Sequence, residues 1–170
     1  AVLRFDGEGQ PNIFYYLASG KLVTATRDEN GEWSKRLIAD SVGGFSVRIS
    51  PIIRPDGFWV SFVHWKFHET ELHLARPSAD ASEKYQIETV ATRRGPGWRS
   101  QLFFEGANPT ILYSMNMKRE IHLSTKQGTE WKPKVLVRGS HNFVAQQTQQ
   151  GDLVIAYADI EVKPGQPGII

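Results

Sequence analysis

Short strand-like segments recur along the chain at an interval of roughly 44 to 51 residues. Four turns rich in Gly, Asp, Asn and Pro each lead into an apolar segment that ends in an aromatic residue. These aromatics are Tyr16, Phe62, Tyr113 and Tyr157, which lie 46, 51 and 44 residues apart. Self-similarity at a fixed period is the signature of a repeat architecture. The repeat therefore constrains the fold more than any single motif does.

Each repeat contains room for four strands. A third strand-like segment follows in three units as KLVTAT, ELHLAR and EIHLST, and a fourth opens at Trp33, Tyr85 and Trp131. No stretch of about 12 residues keeps the 3.6-residue apolar period of a helix. Four strands in about 40 to 50 residues are typical of a β-propeller blade. A compact β-sandwich is the structural alternative.

The sequence thus predicts an all-β chain, a β-propeller of four-stranded antiparallel blades, as one region over residues 1–170. The predicted blades span about 1–43, 44–95 and 96–139, with a partial blade over 140–170. A propeller closes as a ring of typically about four to eight blades. Three and a half blades therefore predict that another chain or a missing segment completes the ring.

Composition excludes several classes of function. Twenty basic residues against eighteen acidic ones give a net charge of +2, so we expect no nucleic-acid partner. No apolar run approaches the roughly 20 residues of a membrane span. The chain contains no cysteine, which excludes disulfides and cysteine-ligated metals. The cellular compartment stays open, and a secreted or extracellular location is one of the alternatives.

The turns before the fourth strands share a pattern: TRDENGEW from Thr26, SADASEKY from Ser78 and STKQGTEW from Ser124. Each has a hydroxyl residue first and an aromatic residue eighth. The pattern resembles the Asp box, S-x-D-x-G-x-T-W, of sialidase-like (BNR-repeat) β-propellers, although each copy is degenerate. In that family the box is structural, and the resemblance implies the same for Asp28 and Asp80.

The resemblance also implies a substrate-binding arginine. Sialidase-like propellers often carry a F/Y-R-I-P motif whose arginine binds the substrate carboxylate. The matching segment here is Val47-Arg48-Ile49-Ser50-Pro51, with Val in place of the aromatic and Ser before the Pro. Arg48 is thus a candidate because its guanidinium can bind a carboxylate bidentately. The alternative is an ordinary strand arginine that is solvated or salt-bridged.

The densest polar and aromatic cluster is VHWKFHETE. Glu69 and Glu71 are the candidate catalytic carboxylates, because burial can raise a glutamate pKa toward neutrality. The further candidates for substrate binding are His64, Trp65, Lys66, His68 and His141. The alternative is a charged hairpin tip. His64 and His68 could share a metal ion, but no third ligand has a recognisable spacing, so no metal or cofactor is predicted.

Two more patterns indicate packing. His73 and His122 occupy equivalent places in ELHL and EIHL, which favours a structural role. Tyr113 and Tyr157 lie among apolar neighbours and are predicted core residues, which leaves the tyrosine nucleophile of the hydrolases unassigned. Two functions remain open: a glycoside hydrolase acting on acidic sugars, and a non-catalytic module that binds a carbohydrate or a protein. The first partner to expect is a glycan or small sugar.

Overall fold

The structure is a computed structural model that describes residues 1–40, 48–66, 69–79, 84–93 and 99–158, apart from the side chains of residues 66, 93 and 116. Within these ranges the chain forms β-strands, a single 3-10 helix over Asn116–Lys118 and no α-helix. The prediction of an all-β chain is therefore confirmed. None of the described segments is a helix long and apolar enough to cross a membrane.

The strands form four antiparallel sheets. The first sheet contains β1 (Val2–Phe5), β2 (Pro11–Tyr16), β3 (Leu22–Arg27) and β4 (Trp33–Ala39). The second sheet contains β5 (Ser50–Arg54), β6 (Gly57–Lys66), β7 (Glu69–Pro77) and β8 (Tyr85–Arg93). The third sheet contains β9 (Ser100–Glu105), β10 (Asn108–Met115), β11 (Glu120–Gln127) and β12 (Glu130–Arg138), and the fourth contains β13 (Phe143–Gln147) and β14 (Leu153–Tyr157). Within each sheet, strands adjacent in sequence are adjacent in space. Three sheets thus have the predicted four strands.

The three larger sheets repeat in residue register. Each has a β-bulge at the same place in its third and fourth strands, directly before Val23, His73 and His122. These three residues lie opposite Tyr15, Phe62 and Tyr113. Four residues beyond them, Arg27, Pro77 and Lys126 lie opposite Trp33, Tyr85 and Trp131. The eighth residues of the three turn motifs are therefore equivalent in the sheets.

The turn at Asp28 is stabilised locally. The Asp28 carboxylate accepts hydrogen bonds from the backbone N–H groups of Asn30, at 2.9 Å, and Glu32, at 2.8 Å. Gly31 has φ of +87°, which L-residues rarely adopt. Asp28 therefore has the structural role that was expected, whereas Asp80 lies outside the described residues.

STKQGTEW forms a shorter turn. Its Ser124 lies within β11 and is fully buried, and its hydroxyl donates to the Tyr113 hydroxyl at 3.4 Å. Gln127 and Glu130 lie opposite each other, so only two residues form the turn. Lys126 pairs with Glu88 of the second sheet. The polar side chains of this motif thus make contacts within the third sheet, through Ser124, and between the third and second sheets, through Lys126.

The apolar core lies between successive sheets. One cluster joins the first and second sheets around Phe14 and Phe62, and the next joins the second and third around Leu72 and Ile111. A last cluster joins the third and fourth sheets around Leu112 and Phe143. Alternation along each strand lets the two middle sheets bury both faces.

The outer face of the first sheet is exposed. Leu3 lies opposite Ile13 in the first sheet, and its register equivalent in the third sheet is Leu102, opposite Ile111. Leu3 is 49% exposed whereas Leu102 is 1% exposed. Phe5 and Leu37 belong to the same outer face and are also exposed. This face therefore carries the apolar residues that are buried between sheets elsewhere in the molecule. Among the described residues no sheet covers it.

The outer side of the fourth sheet is exposed as well. Val144 and Val154 lie on this side and are 64% and 58% exposed. The prediction that Tyr157 is a core residue is wrong. Tyr157 lies opposite buried Phe143 on the inner face, yet it is 49% exposed, because β14 is the last strand of this sheet in the described part of the chain. The prediction for Tyr113 is confirmed, since that side chain is 3% exposed.

Candidate functional site

A cleft of about 380 Å³ lies where the first strands of three sheets meet. Among the described residues, its polar lining consists of Arg4, Arg48, Ser50, Ser100 and Gln101. Arg4 comes from β1, Arg48 lies two residues before the start of β5 at Ser50, and Ser100 and Gln101 open β9. The cleft has the volume of a small-molecule site, which is typically about 300 to 1,000 Å³.

Hydrogen bonds between sheets hold the first strands together. The backbone N–H of Leu102 donates to the Ser50 hydroxyl at 3.0 Å. On the other side of β9, Arg99 donates to the carbonyl of Phe143 at 2.8 Å and Gln101 to that of Ala145 at 2.7 Å. These bonds place the starts of β5, β9 and β13 side by side, and residues at the starts of β5 and β9 line the cleft.

The described lining of the cleft is positively charged. Arg48 is exposed, and among the described residues no carboxylate lies within ion-pair distance of it. Burial is the main cause that lowers the pKa of Arg99, and the positive charge of nearby Arg48 lowers it further. Arg4 adds a further cation to the lining. Arginines that face a cleft without a protein carboxylate can bind an anionic ligand.

A separate polar cluster joins β6 and β7. His64 lies opposite Glu71, and His73 follows Glu71 two residues later on the same face of the strand. The Glu71 carboxylate lies 3.2 Å from His73 Nε2 and 3.8 Å from His64 Nδ1. One ligand atom from each residue falls within 4.8 Å of the others. All three side chains are mostly buried, between 10% and 18% exposed.

The third sheet has a related pair at the equivalent place. His122 Nε2 lies 2.8 Å from the Glu120 carboxylate, whose second oxygen is 3.3 Å from Arg138 Nε. The hydrogen bond from His122 is the main cause that lowers the pKa of Glu120. Met115 lies opposite Glu120, where the second sheet has His64 opposite Glu71. The third sheet therefore lacks the second histidine.

The other predicted site residues are dispersed. Glu69 is exposed at the end of the β6–β7 hairpin, opposite Lys66, and Trp65 is 37% exposed. His141 is half-buried, and its Nδ1 has no hydrogen-bond partner among the described residues. His68 and the side chain of Lys66 lie outside the described part of the chain.

The structure thus brings together two of the predicted residues, His64 and Glu71, with one that was interpreted as packing, His73. Arg48 lines the cleft, whose described lining includes none of the predicted glutamates or histidines. A Glu-x-His spacing on a strand was the available signal for His73, because residues two apart share a face. Its recurrence at His122 favoured packing instead.

No protein-family model matches the chain, and neither a curated protein nor a solved structure gives a match.

Proposed function

We propose that this chain is part of a sialidase-like β-propeller that binds carboxylate-bearing sugars in the cleft between its first strands. The observation that carries the proposal is the placement of Arg48 and Arg4, from two different sheets, in the lining of one cleft. Arginine forms paired, charge-assisted hydrogen bonds with a carboxylate. Ser50, Ser100 and Gln101 add neutral polar groups to the lining, each of which also makes a hydrogen bond within the protein.

The propeller arrangement is supported by the order of packing. Successive sheets stack face to face, and their first strands adjoin one another, as they do around a propeller axis. The exposed outer faces of the first and fourth sheets carry apolar residues, which a neighbouring blade would cover. Further blades, from another chain or another segment, complete the proposed ring.

Binding has more support than hydrolysis. Glycoside hydrolysis generally requires a pair of carboxylates that flank the scissile bond. The described lining of the cleft contains no carboxylate, and the candidate Glu71 is engaged by two histidines. The proposed function is therefore carbohydrate binding. A turnover assay tests whether the chain is also the predicted hydrolase.

Calorimetric titration with charged sugars and their esters tests this function. N-acetylneuraminic acid and glucuronic acid are compared with their methyl esters, which keep the hydroxyls but lack the charge. We expect binding of an acid and none of its ester. Arg48→Ala is expected to weaken binding about 10- to 100-fold, because a hydrogen bond to a charged group contributes about 1.5 to 3 kcal/mol.

Arg54→Ala is the matched control. Arg54 ends β5 and lies over the Phe104 ring at 4.3 Å, away from the cleft lining. This variant is expected to bind the acid as the parent chain does. Equal binding of acid and ester, or equal effects of the two substitutions, would refute the proposed ligand class. Release of a fluorophore from a fluorogenic sialoside, abolished by Arg48→Ala, would instead establish the hydrolase.

A further inference from the structure

The geometry of His64, Glu71 and His73 is close to that of a divalent metal site. Zinc ligands of the nitrogen and oxygen type lie about 2.0 to 2.2 Å from the ion, so two ligands on a tetrahedral edge are about 3.3 to 3.6 Å apart. The Glu71 carboxylate lies 3.2 Å from His73 Nε2 and 3.8 Å from His64 Nδ1. Shifts of a few tenths of an ångström therefore bring these two pairs to tetrahedral edges. The ligand atoms of the two histidines lie within 4.8 Å of each other, so binding requires at most about 1.5 Å of closure between them.

The second sheet holds these ligands in place. Two come from β7 and one from its hydrogen-bonded neighbour β6, so the backbone ladder sets their spacing. The His73 ring stacks on fully buried Phe62, with ring centres 5.3 Å apart. Its Nδ1 lies 3.4 Å from the Thr89 hydroxyl on β8. A partner at one ring nitrogen orients the imidazole and leaves the other nitrogen for a metal.

Packing of the Glu-x-His pair alone does not require His64. The third sheet builds the same Glu-x-His pair at the same place, with Met115 where the second sheet has His64. Two histidines and one glutamate form a donor set that is common at catalytic zinc sites.

We propose that His64, Glu71 and His73 form a binding site for one divalent transition-metal ion of the zinc type. The site is distinct from the arginine cleft and does not depend on the proposed sugar ligand. The ligands are the Nδ1 atom of His64, a carboxylate oxygen of Glu71 and the Nε2 atom of His73. All donors are nitrogen or oxygen, which suits zinc and its neighbours among the first-row metals.

Titration of the metal-free chain with Zn²⁺ tests the site, with isothermal calorimetry for stoichiometry and Co²⁺ absorption for geometry. We expect one ion per chain and the visible bands of tetrahedral Co²⁺. His64→Met, which restores the residue type of the third sheet, is expected to weaken binding at least about 100-fold, since loss of an outer partner alone costs about 10- to 100-fold. Thr89→Val, which removes such an outer partner, is expected to cost about 10-fold.

His122→Ala is the matched control, because it removes the equivalent histidine of the third sheet. It is expected to retain one ion with unchanged affinity, and circular dichroism establishes that each variant is folded. The proposal is overturned if the parent chain shows no saturable binding of Zn²⁺. It is also overturned if His64→Met binds as the parent does, or if His122→Ala loses the ion as well.

Discussion

The second and third sheets place a glutamate and a histidine at the same positions, yet surround them differently. In the second sheet Glu71 faces both His73 and His64. In the third sheet Glu120 faces His122 and Arg138, and buried Met115 occupies the place of His64. The backbone and the aromatic platform are shared, since Phe62 adjoins His73 as Tyr113 adjoins His122.

The difference between the two sheets distinguishes a pair that only packs from a cluster that can bind a metal ion. A Glu-x-His pair on an aromatic ring is satisfied by its own hydrogen bond and can stabilise a sheet without further function. A second histidine adds a donor that such packing does not need. The change from Met115 to His64 between the repeats therefore adds the donor that the proposed metal site needs.

The largest effect is expected from removing the aromatic ring on which each histidine packs, a feature that the two clusters share. Phe62→Ala and Tyr113→Ala are each expected to lower the free energy of unfolding by about 3 to 5 kcal/mol, because each removes a buried aromatic ring and leaves a cavity. Tyr15→Ala, at the register-equivalent but half-buried position of the first sheet, is expected to cost less. Urea denaturation followed by circular dichroism measures all three. Equal losses at Tyr15 and Phe62 would show that burial between sheets is not what distinguishes these positions.

A smaller effect is expected from making the third sheet resemble the second. Met115→His places a polar ring at a position that is 6% exposed, which is expected to cost about 1 to 3 kcal/mol in the absence of metal. With Zn²⁺ present, the bound stoichiometry should rise from one ion to two, and the melting temperature should recover. If calorimetry still finds a single ion, the equivalence of the two clusters does not extend to metal binding.

The smallest effect concerns the charge of Glu120. The His122 hydrogen bond holds the pKa of Glu120 below its ordinary value of 4.5. A lowered pKa in the folded state stabilises the chain above pH 4.5, and this contribution is lost as the pH falls through the folded value. Glu120→Gln should therefore show a weaker loss of stability between pH 5 and about pH 3 than the parent chain. Identical acid profiles from urea denaturation would contradict this assignment.

Much of the fold follows from local patterns. Alternating apolar residues and Gly-containing turns predicted antiparallel sheets of four strands, and the spacing of Trp33, Tyr85 and Trp131 predicted that these residues are equivalent. The Asp28 turn has the structural role that was expected. Tyr157 was misplaced: it shares the inner face with buried Phe143, but it lies on the last strand of a sheet with two described strands. Alternation within a strand cannot reveal how many strands a sheet contains.

The candidate sites were harder to predict. Arg48 was singled out and does line a cleft, but its partner Arg4 lies in another sheet, and no sequence spacing connects two first strands. His73 was assigned to packing because His122 repeats it. What distinguishes His73 is His64 on the neighbouring strand, and only the strand register brings those two residues together.

The central claim is that the second sheet holds a metal ion where the third sheet holds only a packed pair. X-ray diffraction at the zinc absorption edge, from crystals grown with Zn²⁺, tests this claim directly. The account predicts one anomalous peak per chain between His64, Glu71 and His73, and none beside Glu120 and His122. The absence of a peak at the first cluster, or peaks of equal height at both, would contradict it.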